Sequence, residues 1–140
     1  MTNNKVKFDR QAYQELANKL TVLDHDYRFR LSTGNCGVYA IALQKFLGFG
    51  ELVEFDDFSH VLLKIDDDEY LDGEGIHTEQ ELRNHEKWRI YFNKRTKILP
   101  THPLAILEGT AIHRQPISVY QMKRIIRDNQ AKPLLPDTPI

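Results

Sequence analysis

Cysteine is nearly missing from this sequence: Cys36 stands alone among 140 residues. No intrachain disulfide can form, and a reducing compartment is the natural setting. Long apolar runs are missing too. None approaches the roughly 20 residues that a membrane-spanning helix needs, and MTNNKVKFDRQAY at the start lacks the apolar core of a secretory signal. A cytoplasmic location with no membrane partner is expected. Neither sign of charge is in excess, with 19 Lys and Arg against 20 Asp and Glu, so nothing global attracts nucleic acid or an anionic surface. There is no glycine-rich nucleotide loop, no internal repeat and no low-complexity tract. His77, His85, His102 and His113 are dispersed and make no compact metal-binding spacing with Cys36. Asp66, Asp67 and Asp68 lack the remaining ligand positions of a calcium loop. No cofactor and no metal are expected.

What is present is an ordinary globular composition, 41% hydrophobic and 28% charged, long enough to bury a core without staples. One domain over residues 1–130 is expected, followed by a proline-rich extended tail over 131–140. Asp9 caps a first helix over residues 9 to 21, with Tyr13, Leu16, Ala17 and Leu20 at helical spacing. Residues 21 to 30 read as extended chain with a turn near Asp24. Ser32, Thr33, Gly34 and Asn35 form a turn and capping cluster before a helix over 36 to 47. The apolar residues of that helix cover much of its circumference, as in a helix buried on more than one side. ELVEF and HVLLKI have strand composition, Asp66 to Asp68 form a turn, and EYLD returns. Thr78 and Glu81 match a capping box. KWRIYF, residues 87 to 92, reads as a strand, and 93 to 110 as a surface loop with two prolines. A last helix begins near Pro116, with Val119, Met122, Ile125 and Ile126 on one face. The fold class is therefore α+β, with N-terminal helices packed on a small antiparallel sheet.

Cys36 should open the second helix, where unpaired N–H groups and the helix dipole favour a thiolate. The same donors can serve as an oxyanion hole, with Asn35 and Gly37 adjacent to substrate. His60 begins a strand at the rim of the core, and Asp72 lies on the returning strand. Direct pairing of 60 with 72 would let the carboxylate hold one ring nitrogen and leave the other for Cys36. The densest basic run, Lys87, Arg89, Lys94, Arg95 and Lys97, is a charged surface able to steer an acidic partner.

The stretch GNCGVYAIALQKFLGFG, then SHVLLKI, then EYLDG resembles the core of transglutaminase-like and other papain-fold enzymes. In that superfamily a cysteine heads a buried helix, and histidine and aspartate follow on adjacent antiparallel strands. The resemblance implies a papain-like core with Cys36 as nucleophile, His60 as general base and acid, and Asp72 as orienter. The expected activity is that of a cysteine amidohydrolase: a peptidase, isopeptidase or glutamine deamidase working through a thioester acyl-enzyme, on a protein or peptide substrate. The family's glutamine before the cysteine is replaced by the Arg30–Leu31 region. That departure motivates the alternative, a non-catalytic protein-binding or inhibitory module. A nucleic-acid-binding role through the basic run is the third and least favoured reading.

Overall fold

The computed structural model describes residues 8–24, 36–56, 60–84, 97–110, 118–130 and 132–135. Among them, α1 (Arg10–Asp24) and α2 (Cys36–Leu47) precede four strands: β1 (Glu51–Phe55), β2 (Val61–Asp66), β3 (Glu69–Asp72) and β4 (Gly75–His77). Then come α3 (Glu79–Asn84), β5 (Ile98–Pro100), α4 (Pro103–Thr110) and α5 (Val119–Asn129). The strands form one antiparallel sheet in the order β4-β3-β2-β1-β5. This is the expected α+β arrangement, with the N-terminal helices packed against a small antiparallel sheet.

Local chemistry accounts for the helix boundaries. The Asp9 carboxylate accepts the Ala12 N–H at 2.9 Å, satisfying one of the donors that a helix start leaves open. Gly48, at φ +82, adopts the left-handed conformation that ends α2, and its N–H closes on the Gln44 carbonyl at 2.8 Å. Thr78 and Glu81 form the capping box of α3, with each side chain accepting the other's backbone N–H. Ser118 and Gln121 do the same for α5.

Alternation along the strands divides the core. Leu52, Val61, Leu63, Ile65 and Leu71 face the helices and join Tyr13, Leu16, Leu20, Tyr39, Ile41, Leu43, Met122 and Ile126. Val53, Phe55, Leu62 and Tyr70 face the other side, where Leu82 of α3 packs on them. α2 runs through the middle, touching the sheet as well as α4 and α5, and its residues Gly37 to Leu43 are all buried.

Several boundaries differ from expectation. Residues 21 to 24 continue α1 rather than extending. β5 and α4 occupy part of the proposed 93–110 loop, because both prolines sit where proline is tolerated. Pro103 is the first residue of α4 and Pro100 lies on the outermost strand. β4 was not expected. Leu134, placed in the tail, is fully buried in the core, and its carbonyl accepts the Asp9 N–H at 2.8 Å. The expected strand over 87 to 92, the capping cluster 32 to 35 and Pro116 lie outside the described residues.

Candidate functional site

β2 and β3 pair with Leu63 opposite Leu71 and Lys64 opposite Tyr70. Continued outward, this register sets Asp72 level with Leu62. His60 is thus one diagonal step away rather than directly opposite, but on the same face and still within reach. Its Nε2 lies 2.9 Å from Asp72 Oδ2, and both residues are buried, at 0% and 2% exposure. The His60 ring also meets Phe55 edge-on, with centroids 5.5 Å apart.

Asp72 has a second imidazole. β4 returns after the Gly73–Glu74 turn, pairs Tyr70 with His77, and brings His77 Nε2 to 2.8 Å from Asp72 Oδ1. The same oxygen accepts the N–H groups of Glu74 at 2.9 Å and Gly75 at 3.2 Å. One carboxylate therefore ties two histidines and the tight β3–β4 turn together. Helix α1 holds the turn from behind. The Tyr13 hydroxyl donates to the Asp72 carbonyl at 2.7 Å, which leaves it to accept from the Tyr39 hydroxyl, also at 2.7 Å. Gln14 Nε2 donates to the Glu74 carbonyl at 3.3 Å. Gly75 is at φ +142, and a Cβ there would lie 2.5 Å from Gln14 Oε1, so glycine is what lets the turn press against α1.

The charges follow from this geometry. Burial alone would raise the Asp72 pKa, but hydrogen bonds and attraction from His60 and His77 hold it well below the carboxylate range. Burial would lower that of His60, yet hydrogen bonds to Asp72 and Cys36, and electrostatic interaction with the same two residues, push it up to about 9. Burial likewise opposes protonation of His77, and Asp72, followed by Glu74 and Glu81, more than offsets it and raises its pKa. Both imidazoles are thus biased toward the charged form around a carboxylate that stays ionised. Burial pushes the Tyr13 and Tyr39 hydroxyls up, so both remain neutral donors.

Compared with models of protein families, with characterised proteins and with solved structures, the chain matches none. Nothing therefore ties the α+β fold to a papain-like or transglutaminase-like core.

The thiol-enzyme expectation is corrected by the arrangement around Asp72. The side chains whose ligand atoms gather there, within 4.8 Å of one another, are Asp72, Glu74 and His77. Cys36 is outside that group and meets the network at His60. Asp72 does not orient a single imidazole for a thiol; it is hydrogen-bonded to two. The resemblance to papain-fold enzymes, the Cys-His-Asp triad and the amidohydrolase activity are withdrawn together. Of the substrate-adjacent positions, Gly37 is buried inside α2, and Asn35 lies outside the described residues. Glu74 and His77 were missed. Their signal was the spacing Asp72, Glu74, His77 across two glycines, which a tight turn folds onto one spot.

Proposed function

We propose that this chain is a non-catalytic protein-binding module that takes up an acidic segment with apolar residues along β5 and the start of α4. The observation that carries this reading is the exposure of Leu99 on the outer strand β5 and of Leu104 at the start of α4, at 44% and 65%, just after a basic run in the sequence. β5 pairs only with β1 among the described residues. The Asp56 N–H bonds to the Lys97 carbonyl and the Thr101 N–H to the Leu52 carbonyl. Alternation then turns the backbone groups of Ile98 and Pro100 away from β1. Pro100 has no N–H, so this edge is a poor template for a long foreign strand. Leu99, Pro100, Pro103, Leu104 and Ala105 are all exposed and form a short apolar contact strip. Lys94, Arg95 and Lys97 precede it in the sequence and favour a partner of negative charge.

Selection from a displayed random-peptide library tests this function. The chain should enrich peptides that combine acidic and apolar residues. Their binding should weaken with salt and should be lost in the doubly substituted chain Leu99→Asp, Leu104→Asp, whose unfolding midpoint should barely move. Absence of enrichment, or binders indifferent to both substitutions, would overturn the reading.

A further inference from the structure

The geometry points to a divalent transition-metal site at the β3–β4 turn, with Asp72, Glu74 and His77 as ligands and zinc as the class of ion they suit. The three ligand atoms already lie within 4.8 Å of one another. The Asp72 Oδ1 to His77 Nε2 distance is 2.8 Å. Two ligands each about 2.0–2.1 Å from one metal are separated by about 2.9 Å at right angles and about 3.3 Å in a tetrahedron. An ion can therefore take the place of the shared proton with a shift of about half an ångström or less. Glu74, half-buried and with its ligand atom already inside that 4.8 Å, supplies the third position.

The donor set of two carboxylates and one imidazole is that of zinc and its neighbours rather than of a thiolate-preferring ion. Its surroundings suit ligation as well. Asp72 uses Oδ1 in the cluster, while His60 bonds to Oδ2 at 2.9 Å, fixing the carboxylate plane as outer partners of metal ligands do. The carbonyls of Asp72 and Glu74 are each bound by α1 side chains, Tyr13 and Gln14, so the turn carrying two of the three ligands is set before any ion arrives. The His77 side chain is 13% exposed, which gives the ion a way in, and three protein ligands leave a coordination position for water. The site lies in the β3–β4 turn, apart from the β5–α4 strip, and stands or falls independently of the binding function.

The full chain, stripped with chelator, is titrated with cobalt(II) followed in the visible spectrum and with zinc followed by calorimetry. One ion should bind per chain, zinc should displace cobalt, and bound zinc should raise the unfolding temperature. His77→Gln and Glu74→Gln should each weaken binding by at least about tenfold with unchanged far-ultraviolet circular dichroism, while His102→Gln should leave it unaltered. Failure to saturate at one ion per chain, or affinity that survives both ligand substitutions, would overturn the assignment.

Discussion

Replacing Asp72 by asparagine removes one charge and almost no volume, so it isolates what the carboxylate contributes. Four donors converge on it: His60 and His77 through Nε2, and the N–H groups of Glu74 and Gly75. An amide oxygen in the Oδ1 position can still serve the two backbone groups. The amide nitrogen then faces His60 donor to donor, and no negative charge remains to balance a fully buried imidazolium. Breaking a buried ion pair by removing one partner costs about 3–5 kcal/mol. The upward shift of His60 from 6.5 to about 9 leads to a similar size, on the order of 3 kcal/mol at about 1.4 kcal/mol per unit. Against a total of about 5–15 kcal/mol for a domain, that is a large part of the stability. With about 3 °C lost per kcal/mol in a chain of this length, the melting temperature should fall by about 10–15 °C. Urea unfolding at pH 6 with chelator present measures the difference, and Asp67→Asn in the exposed β2–β3 turn serves as control, with an expected change within about 0.5 kcal/mol. A loss below about 1 kcal/mol for Asp72→Asn would show that His60 is not held as a cation by this carboxylate, and the electrostatic account would fail.

Three further outcomes follow from the same network. The folded-state pKa of His60 lies above its ordinary value, so its contribution to stability is complete below pH 6.5 and is lost as pH rises through about 9; the native state binds the extra proton in that interval. The depressed Asp72 carboxyl works in the opposite sense, contributing above its ordinary value of 3.8 and losing that contribution as pH falls below it. Urea midpoints should therefore peak between about pH 4 and 6.5 and decline on both sides; a midpoint still rising from pH 7 to 9 would contradict this. Tyr13→Phe strands the Asp72 carbonyl and the Tyr39 hydroxyl in the core, and should cost about 1–3 kcal/mol by urea unfolding. Gly75→Ala should lower the melting temperature through its backbone angle of +142. Shortening Gln14 to alanine in the same chain should recover only part of that loss, since it removes the collision and leaves the angle.

Much of the fold was legible because its strongest signals are local. The cap at Asp9, the apolar girth of α2, the Gly48 stop and the aspartate turn between β2 and β3 each follow from a few neighbouring residues. β4 was not, because three residues, Gly75 to His77, are too few to show alternation. Pro100 and Pro103 misled for a different reason. Proline breaks an interior element, but at the sheet edge and at a helix start it removes nothing the structure uses. The site shows the same division. The approach of His60 to Asp72 could be inferred from the hairpin, although by a register that made them direct partners rather than diagonal ones. The chemistry could not, because the order Cys, His, Asp along a chain does not reveal how many imidazoles a carboxylate will serve. Only the turn at Gly73 to Gly75 brings His77 back onto Asp72 and changes a presumed orienter into the centre of a two-histidine network.

The ring-nitrogen chemical shifts of His60, followed by NMR from pH 5 to 10 in metal-free protein, test that network most directly. The account predicts an imidazolium at neutral pH that titrates at about 9. A His60 already neutral at pH 7, titrating at or below its ordinary 6.5, would contradict it.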